Sequence, residues 1–199
     1  MNTYKTITTK AEGIYKEKGS KFLSYAIPVS DKEEINLILK DYRNKYFDAR
    51  HVCYAWMLGS DRTEFRANDD GEPSGTAGRP ILGQINSHEL TNILLIVVRY
   101  FGGILLGTSG LITAYKIASL DAINNAEIVE KTVDITINIQ FDYLLLNDVM
   151  RIVKETNAQI FKQEFDNQCS LIISFPKNDE NIIKSRLEKM NGVLIDFKG

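Results

Sequence analysis

The chain has 199 residues, of which 44% are hydrophobic and 25% are charged. This is enough for one large domain or two small ones with a real core, in the composition range of ordinary soluble proteins. The formal net charge of −2 argues against a strongly basic nucleic-acid-binding protein.

The sequence indicates neither a secreted, disulfide-bonded protein nor a membrane protein. The first ten residues lack the apolar segment of a secretory signal, and the apolar run near Ile93 is far too short for a membrane helix. Cys53 and Cys169 are distant from each other and outside any CxxC spacing, so neither a disulfide framework nor a zinc site is indicated. We therefore expect a cytoplasmic protein with reduced thiols and no membrane partner.

The first part of the chain alternates between strand and helix patterns. Residues 3–8, 13–18 and 21–29 have the composition of short strands, and the last two are expected to form a hairpin through Gly19-Ser20. Asp31 is expected to cap a helix, with Glu34 completing a capping box.

A second group of elements surrounds two glycine-containing loops. Residues 51–58 are predicted to form a central strand with 62–67 as its hairpin partner, and Pro80 suits the first turn of a short helix. Residues 93–98 lack polar alternation, as expected of a strand covered on both faces. A helix follows, with an apolar face at helical spacing formed by Leu111, Tyr115, Ala118 and Ala122.

The remainder predicts a second domain. Its patterns run strand, helix, strand, strand, helix, strand, the split βαββαβ order of ferredoxin-like folds, with the hairpin turn at Asp166-Asn167. The predicted fold class is thus α+β, with a first domain over residues 1–130 and a ferredoxin-like domain over 133–199. The second domain carries no cluster of catalytic residue types.

A glycine loop between strand and helix is the first candidate site. Gly102 and Gly107 have the spacing of the P-loop glycines and Ser109 has the position of the magnesium-binding hydroxyl, but Thr108 replaces the lysine. A Walker-type nucleotidase is therefore not indicated. Two interpretations stay open: a tight turn whose glycines serve packing, or an anion site at the helix N-terminus, faced by Arg79 and Arg99.

An acidic glycine loop over residues 69–80 is the second candidate site. Asp69, Asp70 and Glu72 supply enough carboxylates for magnesium, although such loops are more often plain turns. The backbone N–H groups of residues 73–78 are expected to form an anion-binding nest.

Two further residue groups have a functional and a structural interpretation. His51 and Cys53 face the same way on one strand, which fits a Cys–His nucleophile but better fits a role in the core or the cleft wall. The lysines of the first hairpin fit a nucleic-acid contact or an ordinary solvated face.

Three motifs together resemble those of the YigZ/IMPACT family. They are the loop from Asp69 to Pro80, the stretch from Arg99 to Gly107, and Ala49-Arg50-His51-Val52-Cys53-Tyr54-Ala55, in which Arg50 and Val52 depart from the expected small hydroxyl residue and Asn. The resemblance spans the whole chain. It implies a first domain folded as the second domain of a small-subunit ribosomal protein, an α/β sandwich, and a C-terminal domain similar to the last domain of elongation factor G. Eukaryotic relatives modulate translation initiation under stress.

These observations lead to a first hypothesis of a non-enzymatic protein that binds RNA or the ribosome and modulates translation, without a cofactor. Anion or nucleic-acid contacts are expected from Lys16, Lys18, Lys21, Ser74, Gly75, Thr76, Arg79, Arg99, Tyr100, Phe101, Gly102, Gly103, Gly107, Thr108 and Ser109. The cleft wall is expected to comprise His51, Cys53, Asp69, Asp70 and Glu72. The alternatives are a magnesium-dependent enzyme acting on a phosphorylated small molecule, with Asp70 and Glu72 as metal ligands, and a protein-interaction module.

Overall fold

A computed structural model describes residues 2–198. Met1 and Gly199, the outermost residues of the two predicted domains, lie outside the described residues. The chain divides into two compact units, one over Thr3–Lys131 and one from Thr132 onward. Each is described by itself.

The first unit contains seven strands and three helices. In chain order these are β1 (Thr3–Ile7), β2 (Ala11–Glu17), β3 (Ser20–Pro28), α1 (Lys32–Lys45), β4 (His51–Leu58), β5 (Glu64–Asn68), α2 (Gly78–Ser87), β6 (Ile93–Tyr100), α3 (Gly107–Asn124) and β7 (Ile128–Thr132). Strand β7, which pairs with β1, was not predicted, because the segment IVEKT is short and lacks strict alternation.

Five strands form an antiparallel sheet in the order β2-β3-β6-β4-β5. Alternate residues of the central strand β6 enter two different cores: Ile93, Leu95 and Val97 pack with α2 and α3, and Leu94, Ile96 and Val98 pack with α1. We call these two sides of the sheet the α2/α3 face and the α1 face. The prediction of a strand covered on both faces is confirmed.

The local signals at the first helix and hairpin are largely as predicted. Asp31 caps α1 by accepting from the Glu34 N–H at 2.8 Å, while the Glu34 carboxylate accepts from the Ser30 N–H, one residue before the cap. The hairpin turn lies one residue earlier than predicted, at Lys18-Gly19, both with positive φ (45° and 79°), as a two-residue type I′ turn requires.

The second unit has a four-stranded antiparallel sheet. Its elements are β8 (Asp134–Asp142), α4 (Leu146–Glu155), β9 (Gln159–Glu164), β10 (Gln168–Pro176), α5 (Glu180–Glu188) and β11 (Leu194–Lys198). The strand order β11-β8-β10-β9 is the order of ferredoxin-like folds, so the predicted α+β class is confirmed. Helices α4 and α5 share a core with one face of this sheet.

Both cysteines are buried and unpaired within the described chain. No helix among residues 2–198 combines the length and the apolar character needed to cross a membrane.

Candidate functional site

The adjoining ends of β4 and β6 place two polar side chains next to each other. His51 pairs with Arg99 across the two strands. Because side chains alternate along a strand, both lie on the α2/α3 face, two residues from the core residues Cys53 and Val97. The sheet thus continues its apolar face into a polar cluster at this end.

Arg99 is held by a buried ion pair. Its Nη1 lies 2.6 Å from Oε1 of Glu72, and the side chains are only 6% and 3% exposed. The same carboxylate oxygen accepts from the Tyr115 hydroxyl of α3 at 2.8 Å. Burial raises the pKa of Tyr115, so the phenol stays protonated and remains a donor. Glu72, from the acidic loop, therefore joins a strand to a helix.

The contact partner of His51 shows which ring nitrogen carries the hydrogen when the imidazole is neutral. Its Nδ1 lies 2.7 Å from the carbonyl oxygen of Asp70. A carbonyl only accepts, so Nδ1 carries the hydrogen and Nε2 is left as the acceptor. Nε2 lies 3.8 Å from the Glu72 carboxylate. A protonated His51 would form an ion pair with Glu72.

Cys53 is not arranged as a nucleophile. Its Sγ lies 3.0 Å from the Asp69 carbonyl oxygen and 3.3 Å from the Tyr115 hydroxyl. Burial raises the pKa of the Cys53 thiol well above its ordinary value, which disfavours the reactive thiolate. Cys53 is therefore a buried core residue that packs beneath the cleft.

The acidic loop is organised around Asp69. Its carboxylate accepts from the N–H groups of Gly75, Ala77 and Gly78 at 2.9, 3.0 and 2.8 Å, and Thr76 donates its N–H and its hydroxyl to Pro73. The nest predicted for an external anion is thus filled by the chain itself. Neither Gly75 nor Thr76 has a donor left for a ligand.

The three carboxylates of this loop do not share a ligand site. The Asp70 carboxylate accepts from the Val52 N–H at 2.7 Å, Asp69 closes its own loop and Glu72 binds Arg99. Within residues 2–198, no group of three or more His, Cys, Asp or Glu side chains is placed to hold a metal ion. The alternative in which Asp69, Asp70 and Glu72 hold magnesium is therefore not supported by the geometry of these three carboxylates.

We expect Asp69→Asn to lower the free energy of unfolding by about 1–3 kcal/mol, because a charged acceptor of three N–H groups is lost. Burial alone would raise the pKa of Asp69, but these N–H groups together hold it below its ordinary 3.8. The folded state therefore binds this proton less readily than the unfolded state. The carboxylate stabilises the fold above about pH 4, and this contribution is lost as the pH falls through the lowered pKa.

The measurement is chemical denaturation between pH 3 and pH 7, followed by fluorescence of the single tryptophan, Trp56. Asp61→Asn is the matched control, since the exposed Asp61 carboxylate accepts only from the neighbouring Thr63. An Asp69→Asn protein as stable as wild type at pH 7 would contradict the role assigned to Asp69.

A cavity of about 440 Å³ opens above the Glu72–Arg99 pair. We call it the His51 cavity. It is lined by Arg50, His51, Gly71, Glu72, Pro73, Arg99, Phe101, Leu105, Leu106, Gly107, Thr108 and Leu111. Polar groups thus form its floor, and apolar side chains of the glycine loop and α3 form one wall.

The three loop glycines have two different roles. A Cβ on Gly102 would lie 1.9 Å from the carbonyl carbon of Gly19 and 2.2 Å from the nitrogen of Ser20, so glycine permits close contact with the β2–β3 turn. Gly103 and Gly107 have open space around them but φ values of 88° and 72°, which favour glycine. Helix α3 begins at Gly107 and has no side-chain cap.

The structure separates the predicted cations. Lys16 pairs with Lys21 and Lys21 with Tyr100. Tyr100 packs on the α1 face, so these lysines lie on the opposite side of the sheet from Arg99. Lys18 lies in the turn. The residues predicted to contact an anion or a nucleic acid therefore do not all lie on one face of the sheet.

Several other predicted contact residues lie outside the lining of the His51 cavity. Arg79 is exposed in the first turn of α2, next to Gly75. Ser74 and Ser109 are exposed. Of the predicted cleft wall, His51 and Glu72 line the cavity.

Sequence reasoning missed two residues of the site. Arg50 lines the cavity and its guanidinium lies 5.4 Å from the Phe101 ring centroid. The sequence marks Arg50 only as a departure from a motif. The helical spacing of Tyr115 predicts only packing on the apolar face of the helix, although a phenol at such a position indicates a buried hydrogen-bond partner.

The chain is a two-unit α+β protein. Its first unit is an antiparallel sheet between helical layers with a polar cleft at a glycine loop, and its second unit is ferredoxin-like. The family described as Impact N-terminal domain matches residues 18–123. The chain belongs to the IMPACT family.

Individual relatives agree with this assignment. The chain is similar to the IMPACT family member YvyE of Bacillus subtilis (31% identity, 100% of this chain and 91% of the relative). It is also similar to YigZ of Escherichia coli (32%, 80% and 79%). A crystal structure of a hypothetical protein superposes with a TM-score of 0.76 at 27% identity, covering 98% of this chain and 97% of the other.

Proposed function

We propose that this protein is a non-enzymatic RNA- or ribosome-associated factor that modulates translation. Membership of the IMPACT family supports a role in translation, since eukaryotic proteins with similar motifs modulate translation initiation. The proposal assigns the contact with RNA to the β2–β3 hairpin and its surroundings.

The observation that carries the proposal is the solvent exposure and ion pairing of Lys16, Lys18 and Lys21. All three are exposed, and none forms an ion pair within residues 2–198, whereas Lys5, Lys10 and Lys32 are paired with glutamates. Unpaired, exposed ammonium groups on one hairpin are suited to phosphates, because no internal partner has to be given up.

Aromatic side chains on the same face extend this basic surface. Lys45 lies 5.1 Å from the Tyr46 ring centroid at the end of α1, and Tyr100 follows Lys21 across the sheet. Tyr46 and Tyr100 are half-buried. Lysines interleaved with accessible rings are typical of single-stranded RNA-binding surfaces.

The β2–β3 turn also determines where the basic surface ends. Gly102 packs on Gly19 and donates its N–H to the Ser20 hydroxyl at 3.2 Å. The hairpin is thereby attached to the glycine loop, which presents the exposed Phe101 ring. RNA following the lysines would reach this loop at the end of the central strand β6.

The enzyme alternative has less support. It needs Asp70 and Glu72 to hold magnesium, and both carboxylates have other partners. Arg99 is buried and its Nη1 is paired with Glu72, so its charge contributes little to the long-range attraction of a nucleic acid from solution. Its Nε has no hydrogen-bond partner among the described residues.

The test is RNA binding by the variant Lys16→Gln/Lys18→Gln/Lys21→Gln, measured by fluorescence anisotropy of a labelled single-stranded RNA at several salt concentrations. Each lost phosphate contact lowers the salt slope by about 0.7, so three lower it by about 2. We expect the affinity at low salt to fall at least about tenfold with the loss of these contacts.

The matched control is Lys40→Gln/Lys116→Gln/Lys131→Gln, which removes the same charge from exposed positions elsewhere in the first unit. It should bind RNA nearly as wild type does. Equal affinity of the two triple variants, or no binding of RNA by the wild type at low salt, would contradict the proposal.

A further inference from the structure

The His51 cavity has the size and the charge of a small-molecule site. Its volume of about 440 Å³ lies in the range of ligand pockets. Its ionisable lining residues are Arg50, His51, Glu72 and Arg99. With His51 neutral, two positive charges and one negative charge leave an excess of one positive charge. The cavity therefore favours an anion.

Two independent features of the cavity lining suit an anionic group. The 18-residue helix α3 begins at the cavity without a side-chain cap, so the free N–H groups of its first turn, including those of Gly107 and Thr108, and the positive end of its dipole lie at the cavity. Arg99 also lines the cavity and is 5% exposed, and its Nε has no hydrogen-bond partner among the described residues. An uncapped helix N-terminus and a buried, unpartnered guanidinium N–H in one cavity match a phosphate group.

The Phe101 ring suits a planar, weakly polar body. It is 38% exposed, and its centroid lies 5.4 Å from the guanidinium of Arg50 and 5.6 Å from that of Arg99, so a flat ring can stack on its exposed part next to both cations. Leu105, Leu106 and Leu111 supply apolar contact. His51 offers Nε2 as an acceptor for an amino or hydroxyl group, because Nδ1 is bound to the Asp70 carbonyl.

We propose that the His51 cavity binds a nucleoside monophosphate, with the phosphate at the N-terminus of α3 and the base against Phe101. The ligand is either a free mononucleotide or the phosphorylated 5′-terminal nucleotide of an RNA, since both present the same chemistry. This nucleotide site is separate from the contact with the RNA backbone that the proposed function assigns to the hairpin. The hairpin lysines Lys16 and Lys21 lie on the other face of the sheet.

The test is binding of the four ribonucleoside 5′-monophosphates by isothermal titration calorimetry, with inorganic phosphate and the four nucleosides as comparison probes. The variant is Thr108→Glu, which puts a carboxylate at the cavity in the first turn of α3. Acidic residues stabilise this position of a helix, so lost binding would not reflect unfolding. We expect at least about tenfold weaker binding of the preferred monophosphate, because the new charge repels the phosphate at close range.

The matched control is Thr113→Glu, the same change at an exposed position one turn further along α3, which should bind as wild type does. A second arm compares a short 5′-phosphorylated RNA with its 5′-hydroxyl form. Binding of the free monophosphates identifies a mononucleotide site. Binding of the phosphorylated RNA alone, lost in Thr108→Glu, identifies the RNA end as the source.

Three outcomes would overturn the proposal: no binding of either probe class by the wild type, equal binding by Thr108→Glu, or inorganic phosphate binding as tightly as any monophosphate. The Lys16→Gln/Lys18→Gln/Lys21→Gln variant separates this result from the proposed function. It should keep its affinity for a free monophosphate while losing affinity for an RNA that lacks a 5′-phosphate.

Discussion

Glu72→Ala is expected to lower the free energy of unfolding of the first unit by about 3–5 kcal/mol, the range for removal of one partner from a buried ion pair. The Arg99 guanidinium would remain 6% exposed with no compensating carboxylate. The Tyr115 hydroxyl would lose its acceptor, which adds an unsatisfied buried donor.

Urea denaturation followed by Trp56 fluorescence measures this effect, because Trp56 lies in the core of the first unit on the α1 face. Glu89→Ala is the matched control. Glu89 also forms an ion pair, with Lys5 at 2.8 Å, but the two side chains are 64% and 47% exposed. Solvent screens such an exposed pair, so its removal should change the free energy of unfolding little.

The double variant Glu72→Leu/Arg99→Met sharpens the interpretation. It removes both charges together and replaces them with apolar side chains of similar length. We expect it to be more stable than Glu72→Ala, since the penalty arises from the orphaned charge rather than from the lost attraction. A double variant as unstable as Glu72→Ala would show that packing, and not charge, explains the loss.

Gly102→Ala is expected to lower the free energy of unfolding by about 1–3 kcal/mol through overpacking. The new methyl group would lie 1.9 Å from a backbone carbon of Gly19 and 2.2 Å from the nitrogen of Ser20. Both are backbone atoms of a tight turn, so the glycine loop and the β2–β3 turn have to separate.

Gly83→Ala is the control with the opposite sign. Gly83 lies inside α2, and a Cβ there would meet nothing within 4 Å. Alanine in a helix interior is favoured over glycine by about 0.5–1 kcal/mol, so this variant should be more stable than wild type. If Gly102→Ala also proves stabilising in urea denaturation, the close contact of loop and turn does not constrain the fold.

The RNA experiment and the stability experiments address different sides of the sheet. Lys16 and Lys21 lie on the α1 face and Lys18 lies in the turn. Replacing all three should leave the Trp56 unfolding transition nearly unchanged, since the groups are exposed and form no ion pair within residues 2–198. The Glu72 and Gly102 variants act on the packing that shapes the cleft. Loss of RNA binding in the lysine variant together with wild-type stability would therefore locate the RNA contact on the hairpin.

The sequence by itself determined the fold class and the element order except for strand β7. The pattern of 93–98 indicated a strand buried on both faces, and β6 is such a strand. The helix start at Asp31 and the βαββαβ order after residue 132 were equally readable. These features depend on local propensity, capping and hydrophobic period, which are properties of neighbouring residues.

Only the tertiary structure decided which polar groups meet. Asp69, Asp70 and Glu72 are neighbours in a loop whose sequence left open a plain turn or a metal site, and each carboxylate has a different partner: Gly75 for Asp69, Val52 for Asp70 and Arg99 for Glu72. The hairpin lysines and Arg99 are all predicted to contact an anion or a nucleic acid, but strand register puts Lys16 and Lys21 on the opposite face from Arg99. Such pairings depend on contacts between residues distant in sequence, and alternation along a strand fixes which face a side chain occupies only once the register is known.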